Sequence, residues 1–482
     1  DGIKIDVSKY PNAKPQFSPR FGFNYKPFDD ENGSLQIRGG TGLFTGTPPY
    51  VWISNQAGNN GVLFGDLNVR AVKDKNDNII SDGRPSLGFT GNMDTYKPAE
   101  GSATRSDIAI TDPDFKYPSL WKSNIAADYK FGDGWVATVE LLYSKDINAI
   151  YHDNIGLYRT EQFVNDGGAG NARPYYNGYY SDREGNQKAA NHVVMLRNTS
   201  KGHSLYTTFQ LQKNFVDGIL KGLYLNGSYS FGQSRGVTDG TSSVATSAWK
   251  YRAALDGNAE EVGYTAGSFD GRLLLSASYT ANWSKYAATS FGLIYQRYRP
   301  FRYSYCYNGD ANGDSQFSND LMYIPANFDE VKDHLLPGDF DSQEDAWKAM
   351  NAFIEQDPYL SKHRGEYAER NGAVAPFANQ LDLSVSHDIK IYQKNGRSHT
   401  LRFSFNIANF LNLLNRNWGV VQTTVLGNQQ YQFLTIPKGQ GPSAANNYTL
   451  KYTMAKDLDE TFKDNLNDVS RWQMQFGIKY IF

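Results

Sequence analysis

Two stretches of the sequence carry side chains whose type and spacing could do chemistry. In Asp310-Ala311-Asn312-Gly313-Asp314-Ser315-Gln316-Phe317-Ser318-Asn319-Asp320, carboxylate or amide oxygens stand at positions 1, 3 and 5 of a tight loop. That spacing suits an oxygen-ligated calcium ion, with Asp310, Asn312 and Asp314 as candidate ligands. An EF-hand would need Gly at position 6 and Glu at position 12, where this chain has Ser315 and Leu321. A solvated polar turn is the plainer reading. The second stretch, Arg173-Pro174-Tyr175-Tyr176-Asn177-Gly178-Tyr179-Tyr180, is aromatic-rich. Arg173, Tyr175, Tyr176, Tyr179 and Tyr180 could stack on a sugar or grip a peptide or protein partner; packing between loops explains them equally well.

Catalysis finds no support. The seven histidines (His152, His192, His203, His334, His363, His387, His399) show no i,i+4 pairing, and neither a G-x-S-x-G, a P-loop nor a dinucleotide fingerprint occurs. The single cysteine, Cys306, excludes an intramolecular disulfide and a cysteine-based zinc cluster. Lys+Arg of 48 against Asp+Glu of 50 gives a net charge of −2, which excludes nucleic-acid binding through bulk charge. We therefore expect no enzyme, no catalytic residue, and no cofactor beyond that calcium.

The elements that must hold these stretches read as strands. The 33 Tyr, 28 Phe, 8 Trp and 45 Gly describe an all-β chain. No run approaches 18 apolar residues, so no membrane helix is expected, yet a membrane barrel hides its apolarity in every second residue. That alternation is clear at the end of the chain: Trp472, Met474, Phe476, Ile478, Tyr480 and Phe482 share one face, against Arg471, Gln473, Gln475, Gly477 and Lys479. It recurs in Leu273/Leu275/Ala277/Tyr279/Ala281/Trp283 and in Leu381/Leu383/Val385/Ile389/Ile391. A soluble sandwich would bury such faces against a second sheet; a barrel turns them to lipid. Aromatic ends of the apolar strips, strands of about 10–14 residues and strict alternation of short and long connections favour the barrel.

Short turns are expected at Phe28–Gly33, Gly132–Gly134, Val216–Gly222, Ser284–Lys285 and Gln393–Ser398, and long outer loops at about 47–118, 151–203, 237–270 and 306–377. The count is about 13 strands, including a hairpin around Gly427-Asn428. Residues 341–357 predict an amphipathic loop helix with Asp341 and Glu344 as capping box. First and last strands both descend to the periplasm. A closed barrel has an even count, so this parity predicts the C-terminal part of a larger barrel. Phe476, Ile478, Tyr480 and Phe482 form an alternating terminal strand of the kind read as a signal by the barrel-assembly machinery, which pairs with an exposed edge.

Several blocks carry a family resemblance. Phe17-Ser18-Pro19-Arg20-Phe21-Gly22-Phe23-Asn24, Gln36-Ile37-Arg38-Gly39-Gly40-Thr41-Gly42-Leu43-Phe44-Thr45-Gly46, Pro48-Pro49-Tyr50-Val51-Trp52, Asn412-Leu413-Leu414-Asn415-Arg416-Asn417-Trp418-Gly419 and the final Arg471–Phe482 resemble the barrel of Oar-like TonB-dependent outer-membrane transporters. The resemblance implies a transmembrane antiparallel β-barrel of 22 strands filled by a plug, of which residues 1–482 would supply the C-terminal portion. Plug and N-terminal domain would lie upstream. It implies uptake of an extracellular glycan, peptide or metal chelate with energy from TonB, reached through the plug. Expected partners are outer-membrane lipid, the assembly machinery, and a surface lipoprotein or other envelope protein. The alternatives are a passive porin-like barrel and a structural or interaction barrel of an envelope complex.

Overall fold

The computed structural model describes residues 6–31, 33–60, 72–73, 79–80, 92, 94, 106–164, 173–180, 190–392, 398–426, 430–443, 448–454 and 460–482. Its frame is one antiparallel sheet of eleven long strands in chain order. They are β1 (Arg20–Asp30), β2 (Gly33–Thr45), β3 (Ser119–Phe131), β4 (Trp135–Asp146), β5 (Gly202–Asn214), β6 (Leu223–Gly236), β7 (Arg272–Ser284), β8 (Ala287–Tyr298), β9 (Ala378–Tyr392), β10 (Ser398–Ala408) and β11 (Gln473–Ile481). A two-residue strand, Gly263–Tyr264, adds to the loop end of β6. Among the described residues eleven such strands are found, against about 13 expected. The turn Gly427-Asn428 lies outside the described residues, but its flanks do not pair as a hairpin. Gln422–Thr424 pairs with Phe462–Asp464, and Gln430–Tyr431 pairs in parallel with Ser304 and Tyr305. The described residues between 409 and 472 therefore belong to a fifth long loop.

The register shows why the alternation produces two unlike faces. Leu223, Tyr279, Phe291, Val385, Phe405 and Phe476 stand directly opposite one another in a row from β6 to β11. Leu225, Ala277, Leu293, Leu383, Ile407 and Met474 form the next row on the same face. Large members of this face stand exposed, among them Phe291, Leu293 and Phe476, and they meet no second sheet. A soluble protein does not present so large an apolar band to water, so its solvent is hydrocarbon. Aromatic rings mark the short-turn end: Phe28, Tyr129, Phe131 and Trp135 contact in sequence, and Trp283 and Tyr286 stand exposed there.

The opposite face is polar and cross-linked between strands. Arg38 pairs with Asp128 at 2.8 Å, Gln210 donates to Asn226 at 2.7 Å, Ser384 donates to Asn406 at 2.7 Å, and Arg402 forks onto Asp388 at 2.6 and 2.8 Å. Asn226 stands opposite Ser276, and Asn406 opposite Gln475, as expected of lumen positions.

Short connections gather at one end of the sheet and long ones at the other. At the turn between β3 and β4, Gly134 has φ +83°, and a Cβ there would lie 2.4 Å from the Asn214 carbonyl oxygen. Long loops lie at 46–118, 147–201, 237–271, 299–377 and 409–472. The main buried apolar core is built from described residues of the second, fourth and fifth, and a smaller cluster, with Ala109, Leu157, Tyr176, Val194, Ala245 and Trp249, joins the first three. Arg302–Tyr305 of the fourth loop pairs with Ala373–Val374 and with Gln430–Tyr431 of the fifth. Ala190–Thr199 of the second loop pairs with Ser106–Thr111 of the first. The predicted loop helix is present at Gln343–Gln356, burying Ala346, Met350, Phe353 and Ile354. Its cap is Ser342, which accepts from the Asp345 amide, rather than Asp341, because Ser342 is the last extended residue before the first turn. Among the described residues no helix is long and apolar enough to cross a membrane.

Candidate functional site

The loop canopy brings the two chemically suggestive stretches into contact. Leu157–Val164 and Arg173–Tyr179 form an antiparallel arm of the second loop, and the amide of Tyr176 donates to the Asn312 carbonyl at 2.7 Å. Arg173 is fully buried and donates from Nη1 to Asp320 Oδ1 at 3.1 Å and from Nη2 to the Leu321 carbonyl. Tyr175 and Tyr176 are buried too, with the Tyr176 hydroxyl donating to Asp256 at 2.6 Å. Arg173, Tyr175 and Tyr176 thus serve packing between loops. Tyr179 and Tyr180 remain half-exposed, edge-on to His192 and Tyr158 respectively.

Asp310 and Asp314 come together as the spacing suggested, and Asp320 joins them. One carboxylate oxygen of each lies within 4.8 Å of the others. Asp310 Oδ1 accepts from the Asn312 and Gly313 amides and Oδ2 from the Ser315 amide. Asn312 contributes differently from expectation: its Oδ1 accepts from the Asp314 amide at 2.9 Å, and its Nδ2 faces Asp314 at 3.4 Å. Asp314 and Asp320 are fully buried. Burial, and then the charge of Asp310, push the Asp314 carboxyl up to about 7. Burial and the Asp314 charge raise Asp320 well above the carboxylate range. Asp320 was legible in the sequence as the last acid of its run, but its return to positions 1 and 5 depends on the fold of the loop.

Phe476, Ile478, Tyr480 and Phe482 stand exposed along the apolar side of β11 and beyond its end. Among the described residues, β11 pairs on one side only, with β10.

Sequence reading passed over two buried histidines beside this arm. His152 packs edge-on to Trp52 with its Nε2 lacking a hydrogen-bond partner, and burial, then the Arg252 charge, lowers it to about 4. His192 meets Asn154 Nδ2 through Nδ1 at 2.8 Å and packs on Tyr179 and Trp249. Burial lowers it to about 4 as well; Asp107 opposes this and Lys250 adds to it. Both fold as neutral rings, whereas the unfolded chain protonates near 6.5. Their contribution is full above pH 6.5 and falls as pH drops toward 4, by about 1.4 kcal/mol per unit for each ring. Protease cleavage in the first, second and third loops should therefore rise between pH 7 and pH 5. His152→Leu, which needs no proton, should flatten that rise; an unchanged pH profile in this variant would remove His152 from the account.

No curated protein matches the chain. Two solved structures of the ferric enterobactin receptor PfeA from Pseudomonas aeruginosa are similar to it. One, a double mutant, has 9% identity and a TM-score of 0.39, with 96% of this chain and 40% of that chain covered. A single-substitution mutant has 8% identity and a TM-score of 0.36, covering 86% and 37%. The chain thus spans less than half the length of those receptors. The model of the outer membrane beta barrel domain matches residues 4–447, most of the sequence. With eleven antiparallel strands, a lipid-facing apolar side and long loops at one end, the chain belongs to the outer membrane beta barrel domain family and is a protein of the outer membrane.

Proposed function

We propose that this chain is the C-terminal portion of the barrel of an Oar-like, TonB-dependent transporter, whose loop canopy captures an extracellular ligand. The observation that carries the reading is the parity of the sheet. Every short connection lies at one end, so β1 and β11 run in the same direction, and neither is paired on its outer side among the described residues. Joining them would put a parallel seam in an antiparallel wall, and leaving them bare in lipid would cost several kcal/mol per unsatisfied backbone group. Further strands supplied outside this chain resolve both problems and enlarge the lumen enough for a plug. An outer membrane holds no nucleotide or ion gradient of its own, so a plugged barrel needs energy delivered from the inner membrane. Lipid on the apolar face, the assembly machinery at β11 and TonB through the plug are the partners of this reading; a surface lipoprotein would sit on the canopy.

The test is uptake by the whole protein in cells with and without TonB, supplied with glycans, peptides or metal chelates as sole sources. Growth that depends on the protein should vanish without TonB, and liposomes carrying the isolated chain should not swell in a small sugar. Swelling at porin-like rates together with TonB-independent growth would replace the transporter with a passive pore.

A further inference from the structure

We infer that Asp310, Asp314 and Asp320, completed by Asn319, form a binding site for one divalent cation of the calcium class. The bound ion fastens the Arg173–Tyr179 arm of the second loop to the fourth loop. Four observations carry this. Oxygens that ligate calcium at about 2.3–2.6 Å lie no more than about 5 Å apart, and one oxygen from each of the three carboxylates falls within 4.8 Å of the others. Charge is also left over. Arg173 pairs with Asp320, while among the described residues no ion pair reaches Asp310 or Asp314. Buried carboxylates without a counter-charge are costly, and a cation removes that cost.

The third observation is Asn319. It is buried, its carboxamide meets Asp314 Oδ2 through Nδ2 at 3.4 Å, and its Oδ1 has no hydrogen-bond donor. A half-turn of the amide exchanges the two atoms and brings the orphaned oxygen to the cluster as a neutral fourth ligand. Among three acids whose carboxylates only accept when ionised, a cation gives that oxygen a partner. The fourth is position: the loop that holds Asp310 and Asp314 also receives the Tyr176 amide, and Asp320 receives Arg173. Ordering the acids therefore orders the arm.

The experiment uses the complete protein in detergent, stripped with chelator and titrated with CaCl2 and with MgCl2 by calorimetry. A parallel titration uses Tb³⁺ luminescence excited through the nearby tyrosines. One calcium per chain should bind, at least 10-fold tighter than magnesium, and should slow protease cleavage in loops 147–201 and 299–377. Asp314→Asn and Asp320→Asn should each weaken binding 10-fold or more while the heat-modifiable gel shift of the barrel stays unchanged. Asn319→Leu, which keeps all three acids, should weaken it several-fold. A flat calcium titration of the unsubstituted protein overturns the site. Stoichiometric calcium binding unaffected by Asp314→Asn or by Asn319→Leu overturns it too, because the ion then sits elsewhere.

Discussion

Leu293→Arg should cost about 2–4 kcal/mol of folding free energy in lipid vesicles and deplete assembled protein from the outer membrane, the scale of a cation near the bilayer midplane of a barrel. Leu293 lies near the centre of β8, between Ala277 and Leu383, with its side chain 40% exposed on the apolar face. In water such a half-exposed leucine would tolerate arginine within about 0.5 kcal/mol. The contrast is what makes the variant informative. Ser276→Arg, one row away on the polar face opposite Asn226, should stay within about 1 kcal/mol because a lumen keeps the guanidinium wet. Urea titration of vesicle-embedded protein, read by heat-modifiable mobility, measures both. Equal effects at the two positions would mean that the faces do not differ in solvent, and the membrane assignment of the sheet would fail.

The wall was legible because its physics is local. A period of two, aromatic ends and glycine turns such as Gly132–Gly134 depend on neighbours in sequence, and β7, β9 and β11 stand where the alternation placed them. The loops obey different rules. The stretch around Gly427-Asn428 reads as a further membrane hairpin because Gly-Asn is a turn signal. In the structure the described residues that follow that turn belong to the canopy: Tyr431, Phe433 and Leu434 enter its core against Phe353 and Tyr305. Apolar alternation cannot tell a strand facing lipid from one facing other loops, since both are dry on one side. The helix at Gln343–Gln356 was readable for the opposite reason, as its 3.6-residue period has no barrel counterpart.

The candidate site was half legible. The spacing of Asp310 and Asp314 held because both lie in one turn, where backbone amides fix the carboxylates. Asp320 and Asn319 return to that turn only because Cys306–Asn308 and Asp320–Leu321 lie side by side, with the Tyr307 amide donating to the Asp320 carbonyl at 2.9 Å. Composition left Arg173 and its tyrosines equally open to a ligand and to packing between loops. Burial gives Arg173 to Asp320, and Tyr176 to Asp256 and the Asn312 carbonyl, an outcome decided by contacts between residues 80 to 147 positions apart.

Arg173 offers the second large effect. Its guanidinium lies between the rings of Tyr307 and Tyr367 while it holds Asp320 and the Leu321 carbonyl. Arg173→Met fills most of the volume but leaves Asp320 buried beside Asp310 and Asp314, and breaking one side of a buried pair costs about 3–5 kcal/mol. The damage should stay in the canopy: protease cleavage and amide exchange should rise in residues 157–179 and 302–324, while the heat-modifiable shift of the wall is retained. Arg173→Lys should recover little, because one ammonium cannot serve the Asp320 carboxylate and the Leu321 carbonyl in the planar fork that guanidinium provides. If Arg173 instead contacted an external ligand, Arg173→Met would lose ligand and leave loop protection at the wild-type level. That pattern would give the arm the ligand-gripping role, the other of the two readings its composition left open.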